Sequence, residues 1–376
     1  MWFLVHKAKM KVRLKRASVI SFFLALIGGS CVSECFRSSG ESKLQLAISW
    51  VSKVSFPRDQ LISDLKEIAQ APHPFGSARQ MEVAQFVGRR IRELGFSPIF
   101  EAFTADTPNR YLWGHPGSPG TLFIQKPGQN IYSFWRAPGS DSKKCVWLLG
   151  SHYDTKDVEG ISYLGANDSG SSSVALLFIL QALSRFSGIQ KFACDLGFVW
   201  FDGEESVLPN WNDGDRYQVK TIDHTYGSRH AASRLRSCEG TMGMCLPQDL
   251  GGQRVVGLIL LDMIGSPNVL ISPDSHSHSR LVQLFTRVYQ NLYPGTDLFA
   301  QARPQRIEDD HVPYMELGLP VINIIDMNHL QYWHRSGDDW DRVDMGSIEK
   351  ISRTVLATAL ILLQYSSLTA VPVVPI

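Results

Sequence analysis

Three apolar runs of the chain end abruptly at acidic or imidazole side chains, and this feature constrains the fold most. The runs are CVWLLGSHYDT (145–155), FVWFDGEES (198–206) and VVGLILLDMIGSPN (255–268). A strand buried on both faces of a parallel sheet reads as a nearly continuous apolar run. The carboxyl ends of such strands are where open α/β sheets bind their ligands. The pattern therefore predicts buried strands that carry a functional site at their ends.

Segments with helical spacing of apolar residues alternate with these runs. They lie at 58–70, 79–95, 225–235 and 346–368. Strands alternating with helices predict a single α/β domain with a mostly parallel, twisted central sheet and helices on both faces. We assign residues 36–57 to a polar leader, 58–368 to this single α/β domain and 369–376 to a tail.

Composition narrows the class of protein. The 376 residues are 44% hydrophobic and 19% charged, which is ordinary for a globular chain with an ample core. The formal net charge of +1 leaves no electrostatic footprint for nucleic acid, so we expect no nucleic-acid partner.

The first 35 residues differ from the rest of the chain. Six Lys and Arg residues between positions 7 and 16 precede an apolar run at 19–29. That run is short for a membrane span and suits the apolar region of a signal peptide. We predict export, to the periplasm or outside the cell; an uncleaved N-terminal membrane anchor is the alternative.

The six cysteines fit export. Cys31 and Cys35 lie in the processing region, and Cys238 and Cys245 bracket a short loop that a disulfide can close. Cys145 and Cys194 precede two strands that we expect to be neighbours in the sheet. For this second pair, the sequence leaves a disulfide and two buried free thiols both open.

The strand ends supply groups that bind metals. Glu204 and Glu205 are adjacent, and a divalent cation compensates such a pair when one ligates and the other stays free as a base. His152 and Asp154 point the same way from an extended segment, so Asp154 can orient a ligating His152. A solvated acidic turn is the plainer interpretation of Glu204-Glu205, and a helix cap that of Asp168.

Other polar groups extend the candidate site. Asp262 interrupts a buried apolar run and needs a partner, since a buried unpaired carboxylate is costly. Asp309 precedes a short helix, and His334 lies in a late loop. We predict a solvated loop for DSHSHSR (274–280), with no carboxylate or cysteine nearby to complete a metal site.

The order HYD, ANDSG, DGEE, LDMIG and WH resembles the zinc exopeptidase superfamily, which includes bacterial leucyl aminopeptidases. Within it, the chain is most similar to the animal-type glutaminyl-peptide cyclotransferases. Trp211 followed by YGSRHAA, Asp309 in DDHVPY, and Trp333 before the late histidine carry this closer resemblance. It covers about residues 58–366 and implies a zinc exopeptidase-like fold.

The resemblance also implies roles for residues. Asp168, Glu205 and His334 resemble the ligands of a single zinc ion, and Glu204 resembles the general acid/base. Asp262 and Asp309 match the carboxylates around that base, while Trp211 and Trp333 match the walls of the glutamine pocket. The chain departs from the family at Asn323, where the animal enzymes have a histidine, so we expect an altered substrate-binding network there. APHPFGS (71–77) is more similar to the peptidases.

The resemblance implies cyclisation of an N-terminal glutamine to pyroglutamate with release of ammonia. We expect one Zn²⁺, substrates that are peptides or proteins with N-terminal glutamine, a monomer, and no membrane contact beyond the N-terminal anchor if it is retained. The rival is a two-zinc aminopeptidase, in which His152 and Asp262 bind a second ion. A non-catalytic peptide-binding homologue is the third alternative.

Overall fold

The apolar runs of the sequence form the centre of one eight-stranded sheet. A computed structural model describes residues 41–112, 122–140, 145–188, 191–211, 222–240 and 242–372. Its strands are β1 (Ile99–Pro108), β2 (Phe123–Trp135), β3 (Cys145–His152), β4 (Asp195–Phe201), β5 (Arg236–Ser237), β6 (Met244–Cys245), β7 (Arg254–Asp262) and β8 (Val321–Ile325).

The central strands β4, β3, β7 and β8 lie side by side and parallel. In β3, Leu149 pairs with Phe198 on one side and Ile259 on the other. The predicted parallel α/β sheet is confirmed for this centre, where each strand is covered on both faces. The flanking strands β1, β2, β5 and β6 pair antiparallel with their neighbours, β2 with both β1 and β4.

Helices cover both faces of the sheet, as predicted. The main core, which includes Leu177 and Leu356, lies on one face of the sheet. A second core, which includes Ala232 and Tyr314, lies on the other face. The helices are one at 41–51 (α1), α2 (Arg58–Ile68), α3 (Ala78–Glu93), α4 (Ser172–Ser184), α5 (Tyr226–Arg234), α6 (Ser279–Leu292), α7 (Val312–Glu316) and α8 (Met345–Leu362).

The expected polar leader contains helix α1, which packs against the domain. Its Leu44, Ala47 and Val51 are buried in the main core. The guanidinium of Arg353 on α8 donates to the carbonyl oxygen of Val51 at 2.6 Å. The predicted signal peptide or anchor at 1–35 lies outside the described residues. Within the described ranges, no helix is long and apolar enough to cross a membrane.

Both candidate cysteine pairs form disulfides. Cys145 and Cys194 join the starts of β3 and β4, which are neighbours as predicted. Cys238 and Cys245 close the loop between β5 and β6. Cys145 and Cys194 are therefore not free thiols, and their disulfide links two adjacent strands.

Candidate active site

The carboxyl ends of the parallel strands converge on one pocket of about 320 Å³. Since β3, β4 and β7 run in the same direction, the residues that end them meet at one edge of the sheet. Of the predicted site residues, His152, its partner Asp154 and Asn323 lie outside the pocket lining. The pocket is lined by Asp168, Glu204, Glu205, Trp211, Asp262, Asp309, Trp333 and His334, among others.

The turn after β4 presents the two glutamates. Gly203 has φ of 67°, in the left-handed region that favours glycine, and a Cβ there would lie 2.8 Å from the ring of Phe75. The backbone N–H groups of Glu204 and Glu205 donate to the two carboxylate oxygens of Asp154, at 3.0 and 3.2 Å. Asp154 therefore fixes the turn that aims both glutamates.

Asp154 also lies beside His152, as the spacing predicted. Its Oδ1 is 3.4 Å from His152 Nδ1. On the other side of the ring, Nε2 lies 3.2 Å from Asp168 Oδ1 and 3.4 Å from Asp262 Oδ1. Asp262 thus lies within ion-pair distance of His152 without a hydrogen bond to it, and His152, Asp168 and Asp262 form one group with metal-ligand spacing.

A second group with metal-ligand spacing consists of Asp168, Glu205 and His334. His334 Nε2 lies 2.9 Å from Glu205 Oε1 and 3.5 Å from Asp168 Oδ2. His334 has φ of 53°, a backbone conformation that costs a non-glycine residue on the order of 1–3 kcal/mol and that clusters at functional sites. Asp168 points to these groups and is not a helix cap.

The buried atoms of the site fit a metal ion. Glu205 Oε2 and Asp262 Oδ1 are buried and have no hydrogen-bond partner among the described residues. Native proteins rarely leave such atoms unsatisfied, and an absent ion is one physical reason for it. The donor set of carboxylates and imidazole suits a first-row divalent cation such as zinc.

Two tryptophans and a group of apolar side chains line the pocket beside the charged groups. The ring of Trp211 stacks on His224 at 4.2 Å, and the ring of Trp333 stacks on His334 at 4.1 Å. Trp333 also packs against Met263, Ile307 and Ile325. The pocket therefore combines a polar floor with apolar walls, which is typical of sites for small ligand groups.

Burial shifts the acidity of the carboxyl groups in the pocket. It raises the pKa of Glu204 well above its usual range, and the nearby Asp309 carboxylate acts in the same direction. Burial and the Asp262 carboxylate raise the pKa of Asp309 to about 7. Carboxyl groups tuned in this way are able to accept and return protons near neutral pH.

Asn323 lies behind Asp309. Its Nδ2 donates to Asp309 Oδ2 at 2.9 Å, and its side chain is buried. The predicted substrate-binding residue thus supports a pocket carboxylate from outside the lining.

Sequence reasoning missed three residues that hold the site. Asp338 accepts hydrogen bonds from the backbone N–H groups of Asn167 and Asp168 at 2.7 and 3.1 Å, and Tyr163 donates to Asp168 Oδ2 at 2.8 Å. Buried Lys156 donates to Leu208 O at 2.7 Å and so anchors the segment after the glutamates. Only Lys156 had a sequence signal, since it directly follows HYDT.

The predicted solvated loop at 274–280 is exposed at Ser275, His278 and Ser279, but two of its other side chains are buried. The Asp274 side chain is completely buried, and that of His276 is 9% exposed. His311, which precedes α7 and is distant in sequence, lies against Asp274 with its side chain also completely buried. The carboxylate that appeared to be missing is Asp274 itself, and His311 completes a third group with metal-ligand spacing.

Residues 133–359 match the profile of Peptidase family M28, a range that contains the site from His152 to His334. A glutaminyl-peptide cyclotransferase-like protein of Bos taurus is 29% identical, over 74% of this chain and 69% of its own. The glutaminyl-peptide cyclotransferase of Drosophila melanogaster is 26% identical, over 87% of this chain and 89% of its own. The crystal structure of Macrostomum lignano glutaminyl cyclase is 25% identical with a TM-score of 0.64, covering 84% of this chain and 92% of that one.

Proposed function

The chain belongs to peptidase family M28, whose profile matches more than half of it, and we propose that it is a glutaminyl-peptide cyclotransferase. The observation that carries the proposal is the pocket in which Glu204 lies beside Asp168, Glu205 and His334 and between Trp211 and Trp333. The names of the similar proteins from Bos taurus and Drosophila melanogaster support the same activity.

The reaction joins the α-amine nitrogen of an N-terminal glutamine to the carbon of its own side-chain amide. That bond forms while the bond from the same carbon to the amide nitrogen breaks, and ammonia leaves. Glu204 accepts a proton from the attacking amine and returns it to the departing nitrogen. Burial raises its pKa, which makes its carboxylate a stronger proton acceptor.

Asp168, Glu205 and His334 would hold one zinc ion. When bound, zinc supplies Lewis-acid polarisation of the side-chain amide carbonyl. Burial raises the pKa of Asp262 and of Asp309, and the Asp262 carboxylate adds to the shift at Asp309, so these two groups would be able to hold a proton beside Glu204. Trp211 and Trp333 enclose the glutamine side chain and exclude water, which favours attack by the internal amine over hydrolysis.

The rival function is a two-metal aminopeptidase, and one observation favours it. His152, Asp168 and Asp262 form a second group with metal-ligand spacing that shares Asp168 with the first. In that case Asp168 would bridge two ions, and Glu204 would take a proton from water instead of from an amine. The two functions give different products from different peptides, so a direct comparison separates them.

Purified protein is expected to act on a peptide that begins with glutamine and to leave one that begins with leucine intact. Mass spectrometry of the products measures this: cyclisation removes one ammonia, whereas peptidase action removes one residue. A peptide that begins with asparagine is the matched control, because its shorter side chain does not close the same ring. Release of free leucine without cyclisation of the glutamine peptide would establish the aminopeptidase.

Replacing Trp333 with alanine is expected to raise KM for glutamine peptides by about tenfold, as loss of an aromatic contact of about 1.4 kcal/mol does. Metal content and melting temperature should hold, since the ring is only half-buried. Trp340→Ala is the control, because Trp340 is 41% exposed and contacts Lys66, not the pocket. A lower melting temperature with unchanged KM would assign Trp333 to the core.

We further propose that the protein is exported and acts as a monomer. The basic and apolar pattern of residues 1–35 supports export. So do the disulfides Cys145–Cys194 and Cys238–Cys245, because such bonds persist in oxidising compartments. Fractionation of the producing cells tests export, and size-exclusion chromatography of the purified protein tests whether it is a monomer.

A further inference from the structure

A third group of metal-ligand side chains lies outside the pocket and has no part in the proposed reaction. It consists of Asp274, His276 and His311, which we call the Asp274 cluster. Asp274 Oδ2 lies 3.2 Å from His311 Nε2, and one ligand atom from each of the three side chains lies within 4.8 Å of the other two. Zinc binds such nitrogen and oxygen atoms at about 2.0–2.2 Å, so two ligands of one ion lie roughly 3–4 Å apart.

The imidazole of His311 indicates that hydrogen bonding alone does not satisfy the cluster. Its side chain is completely buried, and neither ring nitrogen makes a well-formed hydrogen bond within the described part of the chain. The same pattern marks the active site, where His152 Nδ1, Glu205 Oε2 and Asp262 Oδ1 are buried without such a bond to any described residue. Buried groups of this kind call for a physical cause, and a cation between them is one.

The neighbours of the cluster hold its ligands ready for an ion. His276 Nδ1 lies 3.0 Å from the carbonyl oxygen of Ile307 and donates its N–H there. That bond leaves the lone pair on Nε2, which is how backbone carbonyls orient metal-binding histidines. Asp274 is held by the backbone N–H of His276 at 3.1 Å and the hydroxyl of Ser277 at 2.9 Å.

The cluster links two loops, one of which forms a wall of the pocket. The backbone N–H of Ser275 donates to Gln305 O at 2.8 Å, and that of Gln305 donates to Pro273 O at 2.9 Å. Gln305 and Ile307 line the pocket, and Asp309 follows them. A cation bound by Asp274, His276 and His311 would therefore fix the segment that carries Asp309.

We propose that the Asp274 cluster binds a zinc-type divalent cation, separate from the catalytic site, that clamps the 273–277 loop to the 305–311 wall of the pocket. Two imidazoles and one carboxylate form a ligand set that first-row divalent metals prefer. This site depends only on its own three residues and does not rest on the proposed function.

The test measures zinc per chain in the full-length, tag-free protein after chelation and reloading with zinc alone. His276→Asn is expected to lose one zinc per chain relative to wild type. His278→Asn is the matched control and should keep the wild-type zinc content. His278 lies two residues after His276, is exposed and caps the N-terminus of α6. Equal zinc content in His276→Asn and wild type would overturn the proposal. That result is expected if the cluster is only a buried Asp–His ion pair that binds no metal.

The same comparison on a His334→Asn background separates the two sites. The His334→Asn variant should hold one more zinc ion per chain than the His334→Asn, His276→Asn double variant. This difference does not depend on how much zinc the catalytic groups bind. Zinc should raise the melting temperature of the single variant more than that of the double variant. Equal zinc content in the His334→Asn variant and the double variant would contradict a metal site at the Asp274 cluster. Equal zinc content in the His334→Asn variant and the wild type would count against the catalytic zinc.

Discussion

Glu204→Gln is expected to lower turnover of glutamine peptides by about a hundredfold or more, while metal content and folding remain those of the wild type. Glu204 is the proposed group that both accepts and returns the proton, and such groups typically contribute 10²–10⁴-fold. The glutamine amide keeps the size of the side chain and the backbone bond to Asp154, so the turn should persist. Steady-state kinetics, together with elemental analysis, measures the effect.

Added zinc should not rescue Glu204→Gln, because the lost function is proton transfer and not metal binding. Glu316→Gln on α7 removes an exposed carboxylate and provides the control for a change of charge. Wild-type turnover by Glu204→Gln on every N-terminal substrate would refute the catalytic role. Loss of metal by this variant would instead assign Glu204 to the ion.

Glu205→Gln is expected to lower zinc affinity by on the order of a hundredfold or more, with activity lost at limiting zinc. A neutral amide replaces a carboxylate whose Oε1 lies 2.9 Å from His334 Nε2 and whose Oε2 has no partner in the described ranges. Even a change behind a ligand costs 10–100-fold in metal affinity, so removing a ligand's charge should cost at least as much. Titration against a competing chelator measures the affinity.

Excess zinc should partly restore the activity of Glu205→Gln, which is the contrast with Glu204→Gln. The two variants are matched controls for each other, since they are adjacent, isosteric and change the charge equally. If Glu205→Gln kept both metal and activity while Glu204→Gln lost its metal, the two roles would be exchanged.

The sequence by itself determined the central strands and the groups at their ends. The middle residues of β3, β4 and β7 are apolar because both faces of these strands are buried, and this property is local to each run. It follows that His152, Glu204, Glu205 and Asp262 meet at one edge, since parallel strands end together. The placement of Asp168, Trp211, Asp309, Trp333 and His334 in the same pocket came from the order of motifs and the resemblance.

Only the tertiary structure decided which distant side chains support those groups. Asp338 holds the backbone of Asp168, Asn323 holds Asp309, and Asp274 meets His311, in each case across a long stretch of chain. No spacing rule predicts such contacts, because they depend on how loops close over the edge of the sheet. The composition of DSHSHSR is polar and predicted a fully solvated loop, but the segment at 305–311 packs against it and the side chains of Asp274 and His276 are buried. Which polar side chains are buried depends on the packing of the whole domain, whereas the burial of an apolar strand follows from the sequence of that strand.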